Sequence, residues 1–331
     1  MSERMPQFER PKPIVVGSGS EEKKKELQEK ILDNFGEKHY DQIPKDKRKI
    51  LEALEYEKKP YEKLTINKAN EITNNLLIEF GLKQFDIPEQ NIHIVPGKLF
   101  KEVNSSPYKV ATTFQDRQLI ALNADELINP LNRASTIFHE ITHLKNFLSL
   151  EAYKDSSKSY RSGLKISATA KKEDQIGFFI AFSGLNEAIV SEIEKRYSPQ
   201  LLDGNEVLQK ELIVQNSKEV QEKKEKIAKE RGKNIDEIIC SDEDGSCFYP
   251  YYEQRRVLNY IVDRLYEDNQ EQFKSKDDVM RLFFRAHFDG KLLIIAKFIE
   301  KSFGKGSFRM IGMMDDGMNS ARLVMDYLKK R

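Results

Sequence analysis

His139-Glu140-Ile141-Thr142-His143 is the stretch on which the reading of this chain turns. It has the form H-E-x-x-H, the short motif with which many zinc hydrolases hold their metal. Residues at i and i+4 share one face of a helix, so both imidazoles can reach one ion. The glutamate between them is placed to act on an activated water. The chain of 331 residues has only five histidines, and two of them are here. The plainer alternative is a pair of polar residues on a solvated helix face.

The flanking sequence favours a helix. Asn129 suits an N-cap and Pro130 the first helical position. Neither Gly nor Pro interrupts Leu131 to Tyr153. On a wheel at about 100° per residue, Ile137, Ile141, Leu144 and Leu148 form one stripe, with His139 and His143 roughly opposite.

A catalytic zinc needs a third protein ligand and an open position. A metzincin extension would place Gly at 146 and His at 149; Asn146 and Ser149 exclude it. His39 and His93 lie upstream and His287 far downstream. The leading candidate is Glu187, in Ser183-Gly184-Leu185-Asn186-Glu187-Ala188-Ile189-Val190-Ser191-Glu192. Gly184 and Asn186 mark a helix start, and Ala188, Ile189, Val190 and Ile193 supply a face to pack it. Glu192 is the rival ligand. A carboxylate favoured at a helix N-terminus is the structural alternative for Glu187.

H-E-x-x-H followed by Gly184-Leu185-Asn186-Glu187-Ala188 resembles the gluzincins, the thermolysin-like zinc metallopeptidases, and related predicted metallopeptidases of bacteria. The resemblance covers roughly residues 90 to 300, and only H-E-x-x-H and the Asn-Glu pair are specific. It implies an α+β, zincin-like fold: a small mixed sheet and an active-site helix, then a mostly helical C-terminal half. It implies Zn2+ held by His139, His143 and Glu187, with Glu140 as general base. The family uses a Tyr or His to stabilise the oxyanion; Tyr251, Tyr252 and His287 are the candidates, and Tyr252 is the choice. One position departs. Where the family often has an acid four residues after the third ligand, this chain has Ser191, with Glu192 next. The partner that orients His139 or His143 is thereby left open.

Strands are expected ahead of the helix. Ile92 to Val95 alternates and ends at Pro96-Gly97. Tyr108 to Phe114 turns at Gln115-Asp116-Arg117 and returns as Gln118 to Leu122. Val110 to Thr113 is the expected edge for an extended peptide substrate, or an ordinary hairpin packed on the core.

Charged residues make up 33% of the chain, and Lys+Arg 55 against Asp+Glu 54 leaves no basic excess. That argues against nucleic-acid or anionic-membrane partners. No apolar h-region and no membrane span is seen, so the expectation is a cytoplasmic protein whose partner is a protein or peptide substrate. Cys240 and Cys247 flank an acidic turn; free thiols are expected in cytosol, a disulfide if the chain is exported.

Three regions are expected. Residues 1–60 read as a charged extension, with a disordered leader to 20 and helices at Glu21 to Phe35 and Lys45 to Tyr56. Residues 61–153 would carry the Ile66 to Phe80 helix, the sheet and the motif helix. Residues 154–331 would be helical and carry the third ligand, opening with a Ser-, Lys- and Gly-rich loop at 154–174. One long helix is expected from Asn205 to Arg231, then helices at Tyr252 to Tyr266, Lys276 to Phe288, Leu292 to Phe303 and Met318 to Leu328. The functional expectation is a zinc metallopeptidase. The alternatives are a catalytically silent zincin-fold binding protein and a zinc hydrolase of a non-peptide amide.

Overall fold

The computed structural model describes residues 10–35, 54–103, 109–153, 157–172, 175–243 and 245–331. The expected leader to residue 9 and most of the Lys45 to Tyr56 helix lie outside the described residues. The chain is a mixed α and β protein, with three sheets among the described residues.

Residues 10–35 are part of the fold. Ile14–Val16 (β1) pairs in parallel with Leu148–Ala152, and Glu21–Asp33 (α1) follows, capped by Ser20. Arg10 is buried, and its Nη1 donates to the carbonyl of Leu144 at 2.7 Å. A cation at a helix C-terminus interacts favourably with the helix dipole. The leader expected to residue 20 is thus ordered from residue 10. No short-range pattern announces a three-residue strand whose partner lies more than a hundred positions away.

Pro60–Glu79 (α2) packs on the motif helix. Ile92–Val95 (β2), Gly97–Val103 (α3), Ala111–Phe114 (β3) and Leu119–Asn123 (β4) follow. The sheet order is β2-β4-β3, with β2 parallel and β3 antiparallel to β4. The expected hairpin is therefore present, and β3 is an outer strand of its sheet.

The motif helix is Pro130–Leu144 (α4). Asn129 caps it, its side chain accepting from the N–H of Leu131 at 3.0 Å and of Asn132 at 3.4 Å. Ile137, Phe138, Ile141 and Leu144 are fully buried in the main core. The helix stops nine residues short of the expected end at Tyr153. Residues 148–152 form β5, and Leu148 packs with Ile31 and Leu150 in a separate cluster instead of extending the helical stripe.

The expected loop at 154–174 is instead largely sheet. β5 (Leu148–Ala152), Ser157–Ser162 (β6), Lys165–Lys172 (β7) and Gln175–Ala181 (β8) form an antiparallel meander, with sheet order β1-β5-β6-β7-β8. Ser, Lys and Gly suggested a loop by composition. The turn at Gly163, with φ +59, and the ladder of backbone bonds make a hairpin of them.

Ser183–Tyr197 (α5) carries the expected third ligand. Gly184 lies so close to Asp315 that a Cβ would stand 2.3 Å from its carbonyl oxygen, which no side chain tolerates. The expected long helix is two, Glu206–Gln215 (α6) and Lys218–Glu230 (α7), broken at Asn216-Ser217. Ile238–Ser241 (β9) and Ser246–Phe248 (β10) form a hairpin with Cys240 directly opposite Cys247, both thiols free. Tyr252–Asp268 (α8), Lys276–Asp289 (α9), Leu292–Phe303 (α10), Ser307–Gly312 (α11) and Met318–Lys329 (α12) complete the helical half. α8 packs on α5, α9, α10 and α12. Among the described residues, no helix is long and apolar enough to cross a membrane.

Candidate metal centre

α4 and α5 pack side by side and bring His139, His143 and Glu187 together. Nε2 of His143 lies 3.1 Å from Nε2 of His139 and 3.0 Å from Oε2 of Glu187; Nε2 of His139 lies 3.6 Å from that oxygen. Ligand atoms around a tetrahedral zinc stand about 3.3–3.6 Å apart, given bonds of about 2.0–2.2 Å. One of the three separations matches and two are a few tenths of an ångström shorter, so a small outward shift would let two imidazole nitrogens and one carboxylate oxygen share one small cation.

A second carboxylate orients the first histidine. Nδ1 of His139 donates to Oε2 of Glu194 at 2.8 Å, and Oε1 of Glu194 accepts from the hydroxyl of Ser135 at 2.6 Å. A carboxylate can only accept here, so Nδ1 carries the proton and Nε2 is directed to the cluster. Without a cation, burial opposes charge on His139, but Glu194 and Glu187 outweigh it and hold its pKa well above the usual value. Burial likewise raises Glu187, yet His143 and His139 hold it well below the usual carboxylate range. A bound cation would displace the Nε2 proton and leave the Nδ1–H on Glu194.

The partner left open by Ser191 is therefore Glu194. Ser191 is buried, and its hydroxyl has no hydrogen-bond partner among the described residues. Glu192 faces the helical half instead of the histidines. It accepts from Asn259 at 3.0 Å and lies 3.6 Å from Arg255. A wheel accounts for both acids: Glu194 falls about 20° from Glu187, and Glu192 about 140° away. That signal was present in the sequence.

Glu140 is nearly buried, and Oε2 accepts from the hydroxyl of Thr113 at 2.6 Å. Gln115, at the end of the same hairpin strand, donates to the carbonyl of His143 at 2.6 Å. β3 thus runs along α4. The N–H of Asn123 donates to Val110 O at 2.8 Å. Pairs alternate along an antiparallel ladder, so the backbone groups of Ala111 and Thr113 point away from β4.

Two of the three expected donors have rings beside the cluster: His287, whose ring is 6.3 Å from that of His143, and Tyr251. Its ring stacks on His139 with centroids 6.3 Å apart and 20° between planes. Glu187 and then burial push its hydroxyl pKa well above the ordinary value, so the group keeps its proton. Tyr251 has φ 55 and ψ 41, a left-handed conformation at the N-cap of α8. That backbone turns its ring to a different side from that of Tyr252. The ring of Tyr252 lies under Lys233, 4.6 Å from its Nζ, with Arg255 and Arg256 each 5.9 Å away. The ring that meets His139 is thus that of Tyr251, not that of Tyr252, the expected donor.

His287 is fully buried between the side chain of Asn186, 3.1 Å from Nδ1, and the carbonyl of Thr142, 3.3 Å from Nε2. Burial pushes its pKa down to about 3. It braces the residues beside Glu187 and His143 from behind. Gly163 completes this brace: a Cβ there would stand 2.4 Å from the side-chain oxygen of Asn186.

Compared with family models, curated proteins and solved structures, the chain matches none.

Proposed function

We propose that this chain is a zinc-dependent metallopeptidase, built on a zincin-like arrangement and akin to the gluzincins. The observation that carries the reading is the convergence of His139, His143 and Glu187 at ligand spacing, with Glu140 on the next position of the same helix. Bound there, zinc would supply Lewis-acid activation of a water and of a carbonyl.

The chain's own groups divide the remaining work. Glu140 accepts a proton from the attacking water and returns it to the leaving amine. Tyr251 keeps its hydroxyl proton and can donate a hydrogen bond with it to a developing oxyanion. The outward backbone groups of Ala111 and Thr113 offer an extended peptide the hydrogen bonds of an added strand. Glu194 fixes the ring of His139. An outer strand running beside the base favours a peptide substrate over a small amide, which would need no strand to dock on. A base held by a specific hydrogen bond favours a hydrolase over a silent binding module, which would have no use for one.

The test uses the full chain, metal analysis and cleavage of unfolded casein. Wild type should carry about one zinc per chain and cut the substrate. Glu140→Gln should keep the zinc and lose about 10²–10⁴-fold in turnover. Full turnover in Glu140→Gln, or a wild type that takes up no metal, would overturn the reading.

A further inference from the structure

We infer that Thr113 is a positioning residue for Glu140, holding one carboxylate oxygen of the base from the strand on which substrate docks. The inference rests on the proposed function and concerns the same site.

Thr113 lies on β3, the outer strand of the β2-β4-β3 sheet. Its hydroxyl is 2.6 Å from Oε2 of Glu140 and 3.3 Å from the carbonyl oxygen of that residue. A hydroxyl has one proton to donate, and the shorter, charge-assisted contact takes it. Among the described residues, Oε1 of Glu140 accepts no hydrogen bond. The two oxygens of the carboxylate are thereby made unequal: Oε2 is tied to the sheet and Oε1 is left to accept a proton. A glutamate with three rotatable bonds is otherwise free to swing, and a misplaced base costs rate steeply.

The placement also joins two tasks in one residue. The backbone of Thr113 points to the outer side of the sheet, where an added strand would bond. Its side chain reaches the base on α4. The distance from a docked backbone to the carboxylate is then set by a single residue, not by the relative motion of a sheet and a helix.

The experiment compares Thr113→Val, which keeps the shape and loses the hydroxyl, with Thr113→Ser, which keeps the hydroxyl. Both are assayed as zinc-loaded full-length protein on an internally quenched peptide that wild type cleaves. Thr113→Val should lose about 10–100-fold in kcat with KM and zinc content unchanged, and Thr113→Ser should stay within about threefold of wild type. Thr113→Ala, which cannot overpack, should repeat the kcat loss should Thr113→Val fold poorly. Wild-type kcat in Thr113→Val, equal losses in Thr113→Val and Thr113→Ser, or a change in KM alone would overturn the inference. Those results leave the proposed function standing. A wild type that cleaves no peptide, or a Glu140→Gln variant as active as wild type, sinks the proposed function and this inference with it.

Discussion

Glu194 stands about two turns beyond Glu187 on one helix and holds His139 through Nδ1 at 2.8 Å, while Glu187 lies 3.6 Å from Nε2 of the same ring. A single helix thus supplies both a candidate ligand and the group that orients another. Partners of this kind typically contribute about 10–100-fold to metal affinity. Glu194→Ala should therefore weaken zinc binding by about that factor, measured by competition with a chromophoric chelator. Affinity equal to wild type would show that the contact does not orient the ligand.

Glu187 and Glu192 are separated by the same logic. Glu187→Ala should lose zinc. Glu192→Ala should keep it, but lower stability by about 1 kcal/mol, because the buried Arg255 loses one of its two carboxylate partners. Metal content and urea midpoints of the two variants decide the matter. Loss of zinc in Glu192→Ala alone would reverse the assignment.

The neighbouring tyrosines should also part company. Tyr251→Phe is expected to lower kcat by about 10²–10³-fold with zinc content unchanged, the usual effect of removing one oxyanion donor. Tyr252→Phe should change kcat little, since its ring lies among Lys233, Arg255 and Arg256. Equal effects of the two substitutions would rule out Tyr251 as the donor.

His287 gives a pH dependence whose sign follows from its burial. Its pKa falls from 6.5 to about 3 on folding. Between those values the unfolded chain binds more protons than the folded one, so stability is full above the unfolded value and declines as pH falls below it. Lowering the pH from 7 to 5 should cost about 2 kcal/mol through this group. Urea titrations of the metal-free chain at several pH values check it. His287→Gln should flatten the slope, and an unchanged slope would mean that other groups set it.

The site was legible where the chemistry is local. His139 and His143 follow from an i, i+4 spacing; Glu194 was missed, although a wheel places it on the same side of α5 as Glu187. Tyr251 was not separable from Tyr252, because the choice depends on a left-handed backbone at residue 251 that neither side chain declares. Within the meander, β6 and β7 were missed because their Ser- and Lys-rich segments carry too few large apolar residues to mark strands, and β5 because its alternating Leu148, Leu150 and Ala152 follow directly on a helical stripe. Their pairing, and that of β1, is decided by partners distant in the chain. The end of α4 was misplaced for a related reason. Leu148 continues a helical stripe by spacing, yet the tertiary fold draws it into a sheet.

The tie between Arg10 and the carbonyl of Leu144 spans 134 positions, and β1 beside it waits for β5. On the ribosome, residues 10–16 emerge long before anything they can hold. The last turn of α4, just beyond His143, can take its Arg10 contact only once residue 144 is made, and the β1 strand beside it pairs only when β5 follows. Closing so long a loop is entropically slow. A metal ion arriving before residue 187 is made would meet an incomplete set of the candidate donors. On the proposed reading, zinc would find all three donors only once residue 187 has been made, too late to guide the folding of α4.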